Sequence, residues 1–179
     1  MNMRIRIEQV DDYSVTEKVV KSAFANAEFS DHKEHELVSR IRKSDAFIPV
    51  LSLVAIDEEN QQIVGHILLS KISIRNDNQS IESLALAPVS VLPGYQSKGI
   101  GKKLILEALQ KAKERGYQSV VVLGHSEYYP KFGFQKASHW GIKAPFDVPD
   151  EVFMALELQE NALAQVSGVV VYSSAFLNR

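Results

Sequence analysis

Val89-Ser90-Val91-Leu92-Pro93-Gly94-Tyr95-Gln96-Ser97-Lys98-Gly99-Ile100-Gly101 joins two segments of different period. Before it, Ile81 to Val91 is an apolar strand. Pro93-Gly94 marks a turn. After it, Leu104, Ile105, Ala108, Leu109 and Ala112 recur on a 3.6-residue period and predict an amphipathic helix. Gly116 follows Arg115 where a helix C-terminus takes a left-handed residue. The turn carries the chemistry. A helix start leaves its first N–H groups without partners, and the macrodipole adds partial positive charge there. Gly99 and Gly101 clear side chains from the wrap, and Lys98, Lys102 and Lys103 add charge. Together these describe a phosphate or pyrophosphate site. The plain alternative is an ordinary strand-to-helix connection.

Two familiar phosphate loops fit poorly. No Gly-x4-Gly-Lys-Ser/Thr run exists, and Gly99-x-Gly101 is followed by Leu104 where a dinucleotide fingerprint needs glycine. Gln96-Ser97-Lys98-Gly99-Ile100-Gly101, preceded by Val91-x-Pro93, resembles the Gln/Arg-x-x-Gly-x-Gly/Ala pyrophosphate loop of the GNAT superfamily of N-acetyltransferases. A second stretch agrees. Tyr129 stands four residues before Gly133 and five before Phe134, which resembles the Tyr-x-x-x-Gly-Phe signature that follows the buried strand in that family. The match is most specific from Ile81 to Phe134, and is closest to small bacterial members.

The rest of the chain suits such a fold. Arg4 to Glu8 alternates as a first strand. Val15, Val19, Val20, Ala23, Phe24 and Ala27 make one helical stripe, and Leu37, Val38 and Ile41 a shorter one ending near Ser44. Ser14-x-x-Glu17 and Asp31 with Glu34 read as capping patterns. His32 and His35 are expected to face solvent. Phe47–Ile56, Ile63–Ile74 and Ile81–Val91 predict an antiparallel meander, with Gly65 marking a bulge or close approach. Ser119 to Leu123 is a near-continuous apolar run, expected mid-sheet and parallel to the strand ending at Val91. Val152–Leu158 and Val169–Tyr172 predict two last strands, joined by a loop or helical turn over Gln159–Ser167. The expected fold is α/β, of GNAT type. Its sheet is mixed and mostly antiparallel, with a splayed central parallel pair and flanking helices. One acyl-CoA N-acyltransferase domain over 1–179 is expected.

Composition narrows the classes. A net charge of −2 gives no basic footprint for nucleic acid. Zero cysteines exclude disulfides, thiolate metal sites and cysteine nucleophiles. No apolar run approaches the ~20 residues of a membrane span. The start of the chain lacks a signal-peptide pattern. A cytoplasmic protein is the default, with neither nucleic acid, membrane nor metal as partner.

The resemblance implies acetyl-CoA as co-substrate and direct attack by an amine on the thioester, in a ternary complex. Carried onto this sequence, Val89 and Val91 pair with pantetheine, and the Val89 N–H polarises the thioester carbonyl. Backbone N–H groups of Gln96, Ser97, Lys98, Gly99, Ile100 and Gly101 hold the pyrophosphate. Tyr129 is the general acid for the departing thiolate; its structural alternative is a ring stacked beside the cofactor. The base is open. The family's glutamate register falls on Ala85, eleven residues ahead of Gln96, and Glu82 should face the other way. His125 and Glu127 remain as bases acting through water. Gly124-His125 stands where many members carry asparagine. His139-Trp140 and Phe146 to Pro149 border the expected acceptor side, with Trp140 better read as a core anchor. The acceptor is a small-molecule amine or a peptide N-terminus. Dimers are common in the family. The competing readings are a non-catalytic acyl-CoA sensor or scaffold of the same fold, and a nucleotide-binding domain of another fold.

Overall fold

The computed structural model describes residues 2–28 and 30–177. In chain order it places β1 at Met3–Ile7, α1 at Tyr13–Phe24 and α2 at Glu34–Arg42. Next come β2 at Ser52–Asp57, β3 at Gln62–Arg75 and β4 at Ser80–Val91. α3 at Ile100–Glu114 and β5 at Ser119–Leu123 follow. β6 is Gln135–Lys136, β7 Ile142–Lys143, β8 Phe153–Glu157 and β9 Gly168–Val171. Among the described residues these nine strands form one sheet, ordered β1-β2-β3-β4-β5-β8-β6. β9 pairs with β3 and also with β7. Every pairing is antiparallel except β4 with β5 and β7 with β9.

α3 forms where its oily stripe predicts it. Leu104, Ile105, Ala108 and Ala112 are fully buried, and Leu109 nearly so. They press on Leu53, Ile67, Leu69, Leu84, Leu86, Val120 and Val122 across one face of the sheet. Each fully buried Leu or Ile contributes about 1.5–3 kcal/mol. The helix stops in a Schellman arrangement: Gly116, at φ +84°, donates to the Lys113 carbonyl and Tyr117 to the Ala112 carbonyl, both at 3.1 Å. The opposite face takes α1 and α2, through Val20, Val38 and Ile41 on Leu68 and through Val19 on Val54 and Ile56. Beyond them the C-terminal segment covers Ile72, Ile74, Ala85 and Val121 with Ile142, Leu163 and Val166.

Several expectations shift. The strand expected over Phe47–Ile56 begins only at Ser52, because Pro49 heads a 3-10 turn over Pro49–Leu51, where its missing N–H costs nothing. Ser14 lies inside α1, and Glu17 spends its carboxylate on Arg42 at 2.9 Å, so that capping box does not form. Val15 is 43% exposed at the outer end of its stripe. His32 is exposed, but His35 is half-buried. Gly65 serves both suggested purposes. The β2–β3 register shifts beside it, and a Cβ there would stand 3.1 Å from Leu104 Cδ1 and from the Ser90 carbonyl. β8 starts at Phe153 and β9 ends at Val171, each a little inside the expected range.

Candidate active site

The site begins where two parallel strands part. β4 and β5 pair only at Leu84 with Val120 and Ala85 with Val121, yet β4 runs on to Val91 and β5 to Leu123. At the parting, Ala87-Pro88 stands opposite the single residue Leu68 on β3. A bulge bends its strand, and proline gives no N–H to a ladder. Past the bulge the backbone alternates cleanly. Leu92 donates to the Val64 carbonyl at 2.9 Å, so Leu92 and Ser90 face β3. Val89 and Val91 therefore turn their N–H and C=O groups into the gap. The Gln96 amide donates to the Val91 carbonyl at 3.2 Å, tying the loop to the strand it leaves.

The loop is pinned on its outer side. Pro93–Tyr95 forms a 3-10 turn, and the Tyr95 hydroxyl donates to Asp57 Oδ2 at 2.9 Å. Lys98 Nζ lies 5.7 Å over the Tyr95 ring. Ser97 at φ +63° and Gly99 at φ +80° make the left-handed steps that turn the chain into α3, a conformation glycine takes at little cost. Within α3's opening turn, Lys103 donates to the Gly99 carbonyl at 3.1 Å. The N–H groups of Ile100, Gly101 and Lys102 sit ahead of it with no intrahelical carbonyl to reach. Gln96, Ser97, Lys98 and Gly99 are exposed, and Gly101 is half-exposed. These five share one open rim at the end of β4, whereas the Ile100 side chain, of the same predicted loop, is buried in the core under α3.

The other rim follows β5. Gly124, His125 and Glu127 make a turn, and the His125 carbonyl accepts from the N–H groups of Tyr128 and Tyr129 at 3.1 and 3.3 Å. The His125 and Glu127 side chains are exposed. Tyr129 is 7% exposed and rests against Phe132 and Phe134. A Cβ on Gly124 would lie 2.3 Å from Tyr129 Cε2. Glycine at 124, read in the sequence only as a departure from asparagine, is what leaves room for this ring under the turn. Burial pushes the Tyr129 hydroxyl up to about 12, the Tyr128 hydroxyl adding to the effect. It is a donor at any ordinary pH.

Ala85 is buried against Val121 and Phe153. Glu82 lies on the other face, beside a polar groove of about 500 Å³ shared with Asp45, Lys71 and Arg75. Trp140 packs on the C-terminal core. Phe146, 44% exposed, stacks on Tyr172 at 6.1 Å and stands 6.5 Å from Phe153. Tyr172 was not anticipated: it belongs to this aromatic group only because β9 folds back beside β3. Among the described residues no group of His, Cys, Asp or Glu is placed to hold a metal, and no helix is long and apolar enough to cross a membrane.

This geometry has close relatives. Residues 16–134 match the model of the acetyltransferase (GNAT) family. The chain belongs to the GNAT family. It is an acyltransferase with the GNAT fold. It is 35% identical over 143 residues to the uncharacterized N-acetyltransferase YjhQ of Escherichia coli (strain K12), covering 78% of each chain. Its fold matches the GNAT family N-acetyltransferase YhbS from Escherichia coli, solved in complex with CoA. That match has a TM-score of 0.87 and 26% identity, over 99% of this chain and 93% of that one. A GNAT family acetyltransferase from Brucella melitensis, solved with acetyl-CoA, matches at TM-score 0.80 and 32% identity over 98% of both chains.

Proposed function

We propose that this GNAT acyltransferase is a single-domain, acetyl-CoA-dependent N-acetyltransferase. It moves the acetyl group to a primary amine by direct attack in a ternary complex. The observation that carries the reading is the gap between β4 and β5, with strand backbone turned into it at Val89 and Val91 and the exposed start of α3 at its end. Pantetheine fits there as an added strand. Val89 offers both its N–H and C=O. Val91 offers its N–H, its carbonyl being shared with Gln96. The Val89 N–H polarises the thioester carbonyl. The N–H groups from Gln96 to Gly101, with Lys98 and Lys102, take the diphosphate.

The chemistry sets two needs. An alkylammonium of pKa ~10.4 costs ~4–5 kcal/mol to use as the free amine at pH 7. His125 and Glu127, exposed on the turn after β5, accept that proton through water. The departing thiolate, of conjugate-acid pKa ~8.5, takes a hydrogen bond from Tyr129. A phenol at about 12 is too weak an acid to lose its proton alone. The proton it gives is replaced by the one that the attacking nitrogen sheds as the C–S bond breaks and the tetrahedral intermediate collapses to the amide, so charge balances over the cycle. The acceptor is a small-molecule amine or a peptide N-terminus.

The test is thermal unfolding with and without acetyl-CoA, followed by an amine panel on the same sample. A ligand at ~100 times its Kd adds ~2.7 kcal/mol of stability. Turnover with any amine separates the enzyme from an acyl-CoA sensor. Gly99→Glu is expected to abolish the shift. It puts a carboxylate at the anion site and a side chain at φ +80°. Undiminished stabilisation of that variant by acetyl-CoA would refute the loop assignment.

A further inference from the structure

The turn after β5 sets two tyrosines side by side, and the reaction above uses one. Their rings meet edge to face at 5.2 Å and then diverge. Tyr129 passes under Gly124, while Tyr128 reaches the other way. Its hydroxyl stands 3.9 Å from the point a Cβ on Gly101 would occupy, and Val91 Cγ2 stands 3.8 Å from that same point. Gly101 lies in the first turn of α3. Tyr128 is therefore carried by the β5 rim but ends at the β4 rim, across the open end of the gap. Phe132 holds its ring from behind at 5.3 Å, and Lys131 Nζ lies 5.9 Å over its face. The Tyr128 hydroxyl has no hydrogen bond to another described residue. Partial burial raises its pKa, so it stays protonated and can donate.

We propose that Tyr128, backed by the charge of Lys131, forms a second wall of the diphosphate site. Its hydroxyl donates to a phosphate oxygen of the coenzyme from the side opposite the α3 backbone. The inference rests on reading Gln96–Gly101 as the diphosphate loop. It adds that the anion is gripped from both rims, so the coenzyme itself bridges β5 to α3. No loop glycine pattern shows such a contact, because Tyr128 comes from beyond the next helix and strand.

The experiment compares two ligands on Tyr128→Phe: CoA, and S-acetylpantetheine, which lacks the diphosphate. Calorimetric Kd for CoA is expected to rise about tenfold, the size of one hydrogen bond to a charged group. Kd for S-acetylpantetheine should not move. Lys131→Gln should weaken CoA binding at low salt and flatten its salt dependence. Equal losses for both ligands, or an unchanged CoA affinity, would overturn the proposal. If wild type binds no CoA, the loop reading itself falls. If wild type binds and Tyr128→Phe binds equally well, only the second wall falls.

Discussion

Tyr129→Phe is expected to lower kcat by about 10²–10³-fold, the usual worth of a positioned proton donor, with Kd for CoA within about twofold. The ring packs in a cluster with Phe132 and Phe134 and is 7% exposed, so phenylalanine refills the same space. The hydroxyl makes no hydrogen bond to another described residue, so its loss leaves no protein group unpaired. The change is thus felt in chemistry and not in folding. Gly124→Ala gives an independent reading. The new Cβ would meet Tyr129 at 2.3 Å and must push the ring aside. That variant should lose turnover nearly as Tyr129→Phe does, although residue 124 touches no reacting atom. The two changes should not multiply, since both act on one hydroxyl. Single-turnover rates with matched CoA titrations check this. A Tyr129→Phe enzyme with normal kcat would remove the donor role, and equal losses in rate and affinity would reassign Tyr129 to cofactor packing.

What was legible beforehand follows from what is local. α3, its glycine stop and the mostly apolar β5 are written in runs of neighbouring residues, and they lie where periodicity puts them. The Gln96–Gly101 loop and the Tyr129–Phe134 stretch were legible for the same reason. The places that misled depend on non-local pairing. Phe47 to Leu51 has strand composition, but in the structure only Ser52 onward pairs with β3. β9 extends the β3 edge beyond β2, pairing at Ser73, Ile74 and Arg75, and brings Tyr172 against Phe146. No window of sequence contains both partners. Two adjacent tyrosines cannot be told apart by a spacing rule either. Their directions are settled by Gly124 and Gly101, which precede them by a few and by many residues.

Arg42→Met is expected to cost about 3–5 kcal/mol, read as a fall in the urea midpoint with little change in slope. Glu8 at the end of β1 and Arg42 at the end of α2 meet at 2.6 Å, with side chains 0% and 5% exposed. Arg42 also reaches Glu17 and lies 4.0 Å over the Tyr13 ring. The other Glu8 oxygen accepts from Ser52 Oγ at 2.8 Å. Since Ser52 has one proton and spends it there, its 2.9 Å contact with His66 Nε2 makes the histidine the donor. His66 is then the neutral Nε2–H tautomer, and its 3.9 Å approach to Glu8 is no ion pair. Removing the guanidinium strands a buried carboxylate, and that is where the cost arises. Glu8→Gln with Arg42→Met should be milder than the sum, because the stranded charge is gone. The same network fixes a pH dependence. Burial pushes His66 down to about 4, against ~6.5 in the unfolded chain. The unfolded state binds the extra proton between those values. Stability is therefore whole above about pH 6.5, falls as pH drops toward 4, and loses on the order of 3 kcal/mol over that window. His66→Gln should flatten this stretch of the profile. A slope that survives the substitution would place the titration elsewhere.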